Sequence, residues 1–189
     1  KCFDRINRIY MMSVSPLISI IIPTLSRGIQ EDHFAMLKRL LSEHLPAQTY
    51  NNYEALVLSD GANDKVGDYV AELNDERVKY IPTEATHQWG HPQTREGIAL
   101  AKGDYYLRMN DDNIPYNNYL QTLLDGFSED IDVTYSRVLF KSSHRASYNR
   151  WYKLTGLLRF GYPFVMPKDF KGRLVHQNVD CMNYMVRMD

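Results

Sequence analysis

Leu17-Ile18-Ser19-Ile20-Ile21-Ile22 is an uncharged run rich in β-branched residues that stops at Pro23. This is the pattern of a strand buried on both faces of a parallel sheet. The uncharged span around it, Ile9 to Ser26 behind Lys1, Arg5 and Arg8, has the layout of a signal peptide or membrane anchor. A spanning helix needs about 20 mostly apolar residues, however, and this stretch is interrupted by Ser13, Ser15, Pro16 and Ser19. A buried strand is therefore the expected structure here.

Glu31 to Leu45 places Phe34, Leu37, Leu41 and Leu45 at helical spacing, an amphipathic helix. Tyr53 to Ser59 reads as a second strand closed by the turn signal Asp60-Gly61, followed by a polar helix from about Asp64 to Asn74. A third strand, Val78-Lys79-Tyr80-Ile81, is expected to stop at Pro82. The loop with His87, Trp89, Gly90 and His91 leads into a helix opened by Pro92, running to Lys102 and ended by Gly103. A fourth strand comes directly after it. Beyond that strand, Asn113 is a candidate cap for a helix with Pro115 in its first turn and Tyr119, Leu120, Leu123, Leu124 and Phe127 on its buried side. Val133 to Phe140 and Val179 to Val186 complete the expected strands. Strands alternating with helices over short connections indicate an α/β domain with a mostly parallel mixed sheet covered on both faces.

In such sheets ligands bind beyond the carboxyl ends of the strands. Three polar clusters stand there: Pro23-Thr24-Leu25-Ser26-Arg27, Asp60-Gly61-Ala62-Asn63-Asp64, and Asn110-Asp111-Asp112. The last ends the run Asp104 to Asn113, where two carboxylates sit between two carboxamides. Oxygen ligands in that arrangement suit a hard divalent cation, which needs only one or two protein carboxylates when a diphosphate supplies other ligands. Asn and Asp also gather after strands simply as turn formers.

At 189 residues with 44% hydrophobic content the chain fits one domain, since domains commonly hold about 100 to 200 residues. Cys2 and Cys181 lie at opposite ends without metal-type spacing and read as free thiols of a reducing compartment. A net charge of −1 argues against a nucleic-acid binder. The distribution is uneven: residues 1 to 132 hold 12 Lys and Arg against 20 Asp and Glu, whereas residues 133 to 179 hold 9 against 1. His87, His91 and His176 show no zinc-site spacing and, with Trp89, read first as local packing and hydrogen-bonding residues.

The constellation resembles family-2 glycosyltransferases with the GT-A (Rossmann-like) fold. The matching pieces are Ile20-Ile21-Ile22-Pro23-Thr24, Leu58-Ser59-Asp60-Gly61 with Asp64, Gly97-Ile98 through Ala101-Lys102-Gly103-Asp104-Tyr105, and the acidic knuckle. The resemblance covers Leu17 to Phe127 well and the remainder weakly. It implies a single domain in which residues 17–127 bind the nucleotide-sugar and residues 133–189 form the acceptor side. The implied reaction moves a sugar from a nucleotide-diphosphosugar, a UDP-sugar first with GDP and dTDP as alternatives, to a hydroxyl of a glycan or lipid-linked acceptor, with inversion.

By position, Pro23, Thr24, Ser26, Arg27, Asp60, Arg95, Asn110 and Asp111 would contact the donor, with Asp60 accepting from the base. Asp112, with Asp111, would hold Mn2+ or Mg2+. Asn110 stands where the family's DxD pattern has its first Asp, which removes one charge from the cation site. Thr94-Arg95-Glu96-Gly97 departs from the usual Arg-Asn pair, and Arg95 is either a diphosphate ligand or half of an exposed ion pair. The general base belongs on a late segment, so either the chain is truncated or Asp180 takes that role. The cationic, aromatic segment Arg137 to Arg173 reads as an acceptor site for anionic or phosphorylated glycans first, with a solvated face and docking on acidic lipid through Trp151, Leu154 and Leu158 as its rivals. The expected location is cytoplasmic, with the inner face of a membrane as the variant. The competing functions are a sugar nucleotidyltransferase, whose Gly-rich Arg-bearing loop is missing after Pro23, and a non-catalytic nucleotide-sugar or glycan-binding module.

Overall fold

Ile18, Ile20, Ile21 and Ile22 are all fully shielded from solvent, as a strand flanked on both faces requires. The structure, a computed structural model, describes residues 15–25, 31–88, 90–136 and 184–188. In chain order the elements are β1 (Ile18–Leu25), α1 (Glu31–Arg39, continuing into a π-helical turn Leu40–His44), β2 (Tyr53–Asp60), α2 (Asp64–Leu73), β3 (Val78–Thr83), α3 (His91–Leu100), β4 (Tyr105–Arg108), α4 (Tyr119–Leu124), β5 (Val133–Tyr135) and β6 (Tyr184–Arg187). One sheet of order β3-β2-β1-β4-β6-β5 holds every described strand. β1 to β4 are mutually parallel, and β6 runs antiparallel between β4 and β5.

Alternation along the strands divides the apolar residues between two faces. Ile18, Ile20, Ile22, Ala55, Val57, Leu107 and Met185 pack with Leu37, Leu41, Val66, Val70, Leu120 and Leu123, so α1, α2 and α4 cover one face. Ile21, Leu56 and Leu58 point the other way against Ile98 of α3. That helix lies close to the sheet because Gly97 carries no side chain: a Cβ there would stand 2.6 Å from Ile21 Cγ2 and 3.0 Å from Leu58 Cδ1.

At the amino end of the sheet a buried carboxylate ties three segments together. Glu54 Oε1 accepts from the Ser19 hydroxyl (2.8 Å) and the Lys102 N–H (2.8 Å), and Oε2 from the Lys79 ammonium (3.0 Å). Burial alone would raise this carboxyl, but these donors hold it below its ordinary range. Gly103 donates its N–H to Ser19 Oγ at 2.9 Å, and a Cβ there would collide with Leu17 O and Ser19 N, both at 2.7 Å.

Several boundaries differ from the sequence reading. β3 continues through Pro82 to Thr83, because it is an edge strand, where a missing donor is tolerated. α3 stops at Leu100 with Ala101 extended, so Gly103 serves the contact with β1 rather than ending the helix. α4 begins at Tyr119, not near Pro115, since Asn113 is engaged elsewhere. Gln48 takes over at this helix start: its Oε1 accepts from Leu120 N (3.1 Å) while Nε2 donates to Tyr116 O (2.9 Å). No helix among the described residues is long and apolar enough to cross a membrane. Cys2, Cys181, Trp89, His176 and the basic segment Arg137 to Arg173 lie outside the described residues.

Candidate functional site

β1 is the strand at which the topology reverses, with β2 on one side and β4 on the other, and the crevice beyond its carboxyl end is the default ligand position in such a sheet. Ile21 pairs with Arg108 in parallel register. Continued three residues past the strand, that register sets Thr24 opposite Asp111. Thr24 is buried, and its Oγ1 has no hydrogen-bond partner. Burial pushes the Asp111 carboxyl above its ordinary range, opposed first by the Thr24 hydroxyl, with the neighbouring Asp112 charge adding to the rise and His33 opposing it more weakly. The hydroxyl is thus close enough to act on the carboxyl without completing a hydrogen bond of good geometry.

The knuckle is shaped by its carboxamides. Asn110 N–H donates to Asn113 Oδ1 (2.8 Å) and Asn113 N–H returns to Asn110 O (3.2 Å). The turn-former reading holds for the two carboxamides, and the turn they close presents Asp111 and Asp112 side by side. Two adjacent carboxylates, one half-buried and electrostatically strained, fit a hard divalent cation. No group of three or more His, Cys, Asp or Glu side chains surrounds a common point among the described residues, so the remaining ligands would be diphosphate oxygens and water.

Asp60, 1% exposed at the end of β2, is held by the chain itself. Oδ1 accepts from Thr86 N (2.6 Å), Thr86 Oγ1 (3.2 Å) and Gln93 Nε2 (3.0 Å), and Oδ2 from His87 N (2.8 Å). Burial would raise this carboxyl, yet the two backbone donors, the Thr86 hydroxyl and His87 hold it low. His87 adopts a left-handed backbone (φ 54°) to make this contact, so the local hydrogen-bonding role expected of this histidine is what is found. The carboxylate organises the loop between β3 and α3, which forms one wall of the crevice.

Gly90 closes that loop against β1. It has φ 76°, and a Cβ there would lie 2.8 Å from Pro23 Cβ and 3.3 Å from Arg108 Nη2, so only glycine fits. Pro23, Thr24, Asp60, Asn110, Asp111 and Asp112 all stand at the carboxyl end of the sheet. Arg95 is exposed and lines a cleft of about 500 Å³ with Thr83, Glu84, Thr86, Pro92, Gln93, Glu96 and Ala99. Ser26, Arg27 and Asp180 lie outside the described residues. Sequence reasoning misses Gln93, fully buried against Asp60, and Arg108, 7% exposed beside Pro23. The spacing Gly90, Gln93, Gly97 marks one helical stripe facing the sheet, and that is the signal the sequence carries.

A family model for glycosyl transferase family 2 matches residues 19–188. Glycosyltransferase GlyG of Streptococcus pneumoniae serotype 4 is 32% identical over 126 residues, 64% of this chain and 38% of that protein. The GalNAc(5)-diNAcBac-PP-undecaprenol beta-1,3-glucosyltransferase of Campylobacter jejuni subsp. jejuni serotype O:2 is 24% identical over 116 residues, 60% of this chain and 35% of that protein. The solved mannosyltransferase PcManGT from Pyrobaculum calidifontis, in complex with GDP-Man and Mn2+, superposes with a TM-score of 0.55 at 15% identity, covering 72% of this chain and 39% of that one. The chain spans little more than a third of the length of these two curated relatives.

Proposed function

The chain belongs to glycosyl transferase family 2 and has the GT-A fold, and on that footing we propose that it transfers a sugar from a nucleotide-diphosphosugar to an acceptor hydroxyl, with inversion and with a divalent cation. The observation that carries this reading is the Asp111–Asp112 knuckle facing Thr24 at the point where the strand order reverses. Burial, with the neighbouring Asp112 charge, holds the half-buried Asp111 carboxyl above its ordinary range, and a cation bound there would favour its ionised form.

Asp112 and Asp111 would hold Mn2+ or Mg2+, and a cation bound there supplies Lewis-acid stabilisation of the departing diphosphate. Asn110 and Thr24 would hydrogen-bond the ribose. Pro23 and the Asp60-held loop would flank the base, so that Asp60 acts first by fixing Thr86 and His87. Residues 17–127 would carry the nucleotide-sugar site, and residues 133–189 most of the acceptor side. The acceptor is a glycan or lipid-linked glycan, a reading supported by a relative named for a PP-undecaprenol-linked saccharide.

Calorimetric titration with UDP, GDP and dTDP, each with and without Mn2+, tests the assignment on the native chain and on Asp112→Ala. Cation-dependent binding of one nucleotide, lost in the variant, is expected. Absence of binding to folded protein would remove the donor site. Nucleotide bound, but never released from its sugar donor, would favour a binding module, and pyrophosphate release a nucleotidyltransferase.

A further inference from the structure

We propose that Tyr116 and Ile114, on the loop directly after the Asp111–Asp112 carboxylates, form the surface on which a neutral pyranose ring of the acceptor stacks; this rests on the transferase reading. Among the described residues these are the most exposed large hydrophobic side chains, at 69% and 67%. Scattered apolar side chains on a protein surface need no explanation. Here the backbone that carries them is pinned at both ends.

On one side the Asn110–Asn113 pair closes the knuckle. On the other, Gln48, 3% exposed, donates to Tyr116 O, and Thr49 N–H donates to Asn117 O at 2.7 Å. Tyr119 N–H also reaches Tyr116 O at 2.9 Å, and Pro115 fixes φ between the two exposed residues. A buried carboxamide and a chain of backbone bonds thus hold the loop still while leaving its two apolar side chains in water. Preformed surfaces of this kind lose little entropy on binding.

The chemistry of the segment selects the occupant. A tyrosine ring offers a flat apolar face and a polar tip, suited to the axial C–H face of a sugar. Asn117 and Asn118, both exposed, offer carboxamides that donate to and accept from sugar hydroxyls. From Asn113 to Leu124 there is no Lys, Arg, His, Asp or Glu. Anionic glycans and acidic lipid headgroups call for Lys or Arg, so a neutral ring is the matching ligand. The position, two and four residues beyond Asp112, sets that ring beside the donor crevice.

Saturation-transfer NMR on the full chain with cellobiose, maltose and chitobiose reads the contact directly. Transfer to the axial ring protons of at least one sugar is expected, lost in Tyr116→Ala and kept in Tyr116→Phe, with nucleotide calorimetry unchanged in both. Equal transfer in Tyr116→Ala, or no transfer with any of the sugars, overturns the proposal. So does sedimentation with phosphatidylcholine vesicles that Tyr116→Ala abolishes, because the occupant would then be a bilayer. Failure of nucleotide binding alone would sink the transferase reading while the saturation result still decides the sugar surface.

Discussion

Thr24 and Asp111 face each other across the seam between β1 and β4, the hydroxyl buried without a hydrogen-bond partner and the carboxyl driven above its ordinary range. Both features disfavour the protein alone. A ligand that favours the ionised form of Asp111 and engages Thr24 would relieve them together, which links binding to stability.

Asp111→Asn removes a strained acid. Because the folded state keeps this proton to higher pH than the unfolded chain, native stability falls as pH rises from the unfolded value of about 3.9 toward the raised folded one. The variant should lack that slope, gain about 1 kcal/mol at neutral pH, and lose Mn2+-dependent nucleotide binding. Thermal melts across pH 4 to 8, with calorimetry, check this; a variant less stable than the native chain at pH 7 contradicts it.

Gln48→Leu leaves Tyr116 O and Leu120 N without their shared carboxamide. The expected loss is about 2 kcal/mol, or roughly 4 to 8 °C in Tm. Denaturant unfolding with an unchanged m-value would identify the effect as lost stability.

Glu54→Gln turns one of two acceptor oxygens into a donor, so either the Lys102 N–H or the Lys79 ammonium loses its acceptor. Glu54 titrates low in the fold, so its stabilisation is complete above the unfolded value of about 4.3 and disappears as pH falls through the folded value. The variant should lose about 1 to 3 kcal/mol at pH 7. In acid the two proteins should converge. A constant difference down to pH 3 would show that the network does not titrate.

Gly97→Ala sets a methyl 2.6 Å from Ile21 Cγ2. Overpacking of about 1 to 3 kcal/mol outweighs the helix propensity gained, about 1 kcal/mol. The displaced α3 carries Gln93 away from Asp60, so nucleotide affinity should fall with stability. Glu96→Ala, next door and exposed, is the control, expected within about 0.5 kcal/mol. Equal effects of the two would refute the close approach.

The sheet is legible in the sequence because its central strands are continuous apolar runs, whose length and β-branching fit few other structures. Pro82 misleads because edge position depends on strand order, which no local pattern encodes. Asn113 and the start of α4 differ from expectation for a related reason. A carboxamide before a proline can cap a helix or close a turn, and only Gln48, sixty-odd positions earlier, decides between them. Gln48 carries no signal in the sequence, since burial of a neutral amide leaves no trace in composition. The acidic knuckle can be located from the sequence, whereas its raised Asp111 depends on a strand it does not adjoin in the chain.

The sheet order also constrains how the molecule comes together during synthesis. β6 is inserted between β4 and β5 although it is the last described strand to be made. Among the described strands, until Tyr184–Arg187 leaves the ribosome, β4 has one open edge and β5 has no partner. The four parallel strands can pair beforehand. An exposed edge of this kind is where foreign strands pair. Among the described strands, the one that closes this edge is the four-residue segment Tyr184–Arg187.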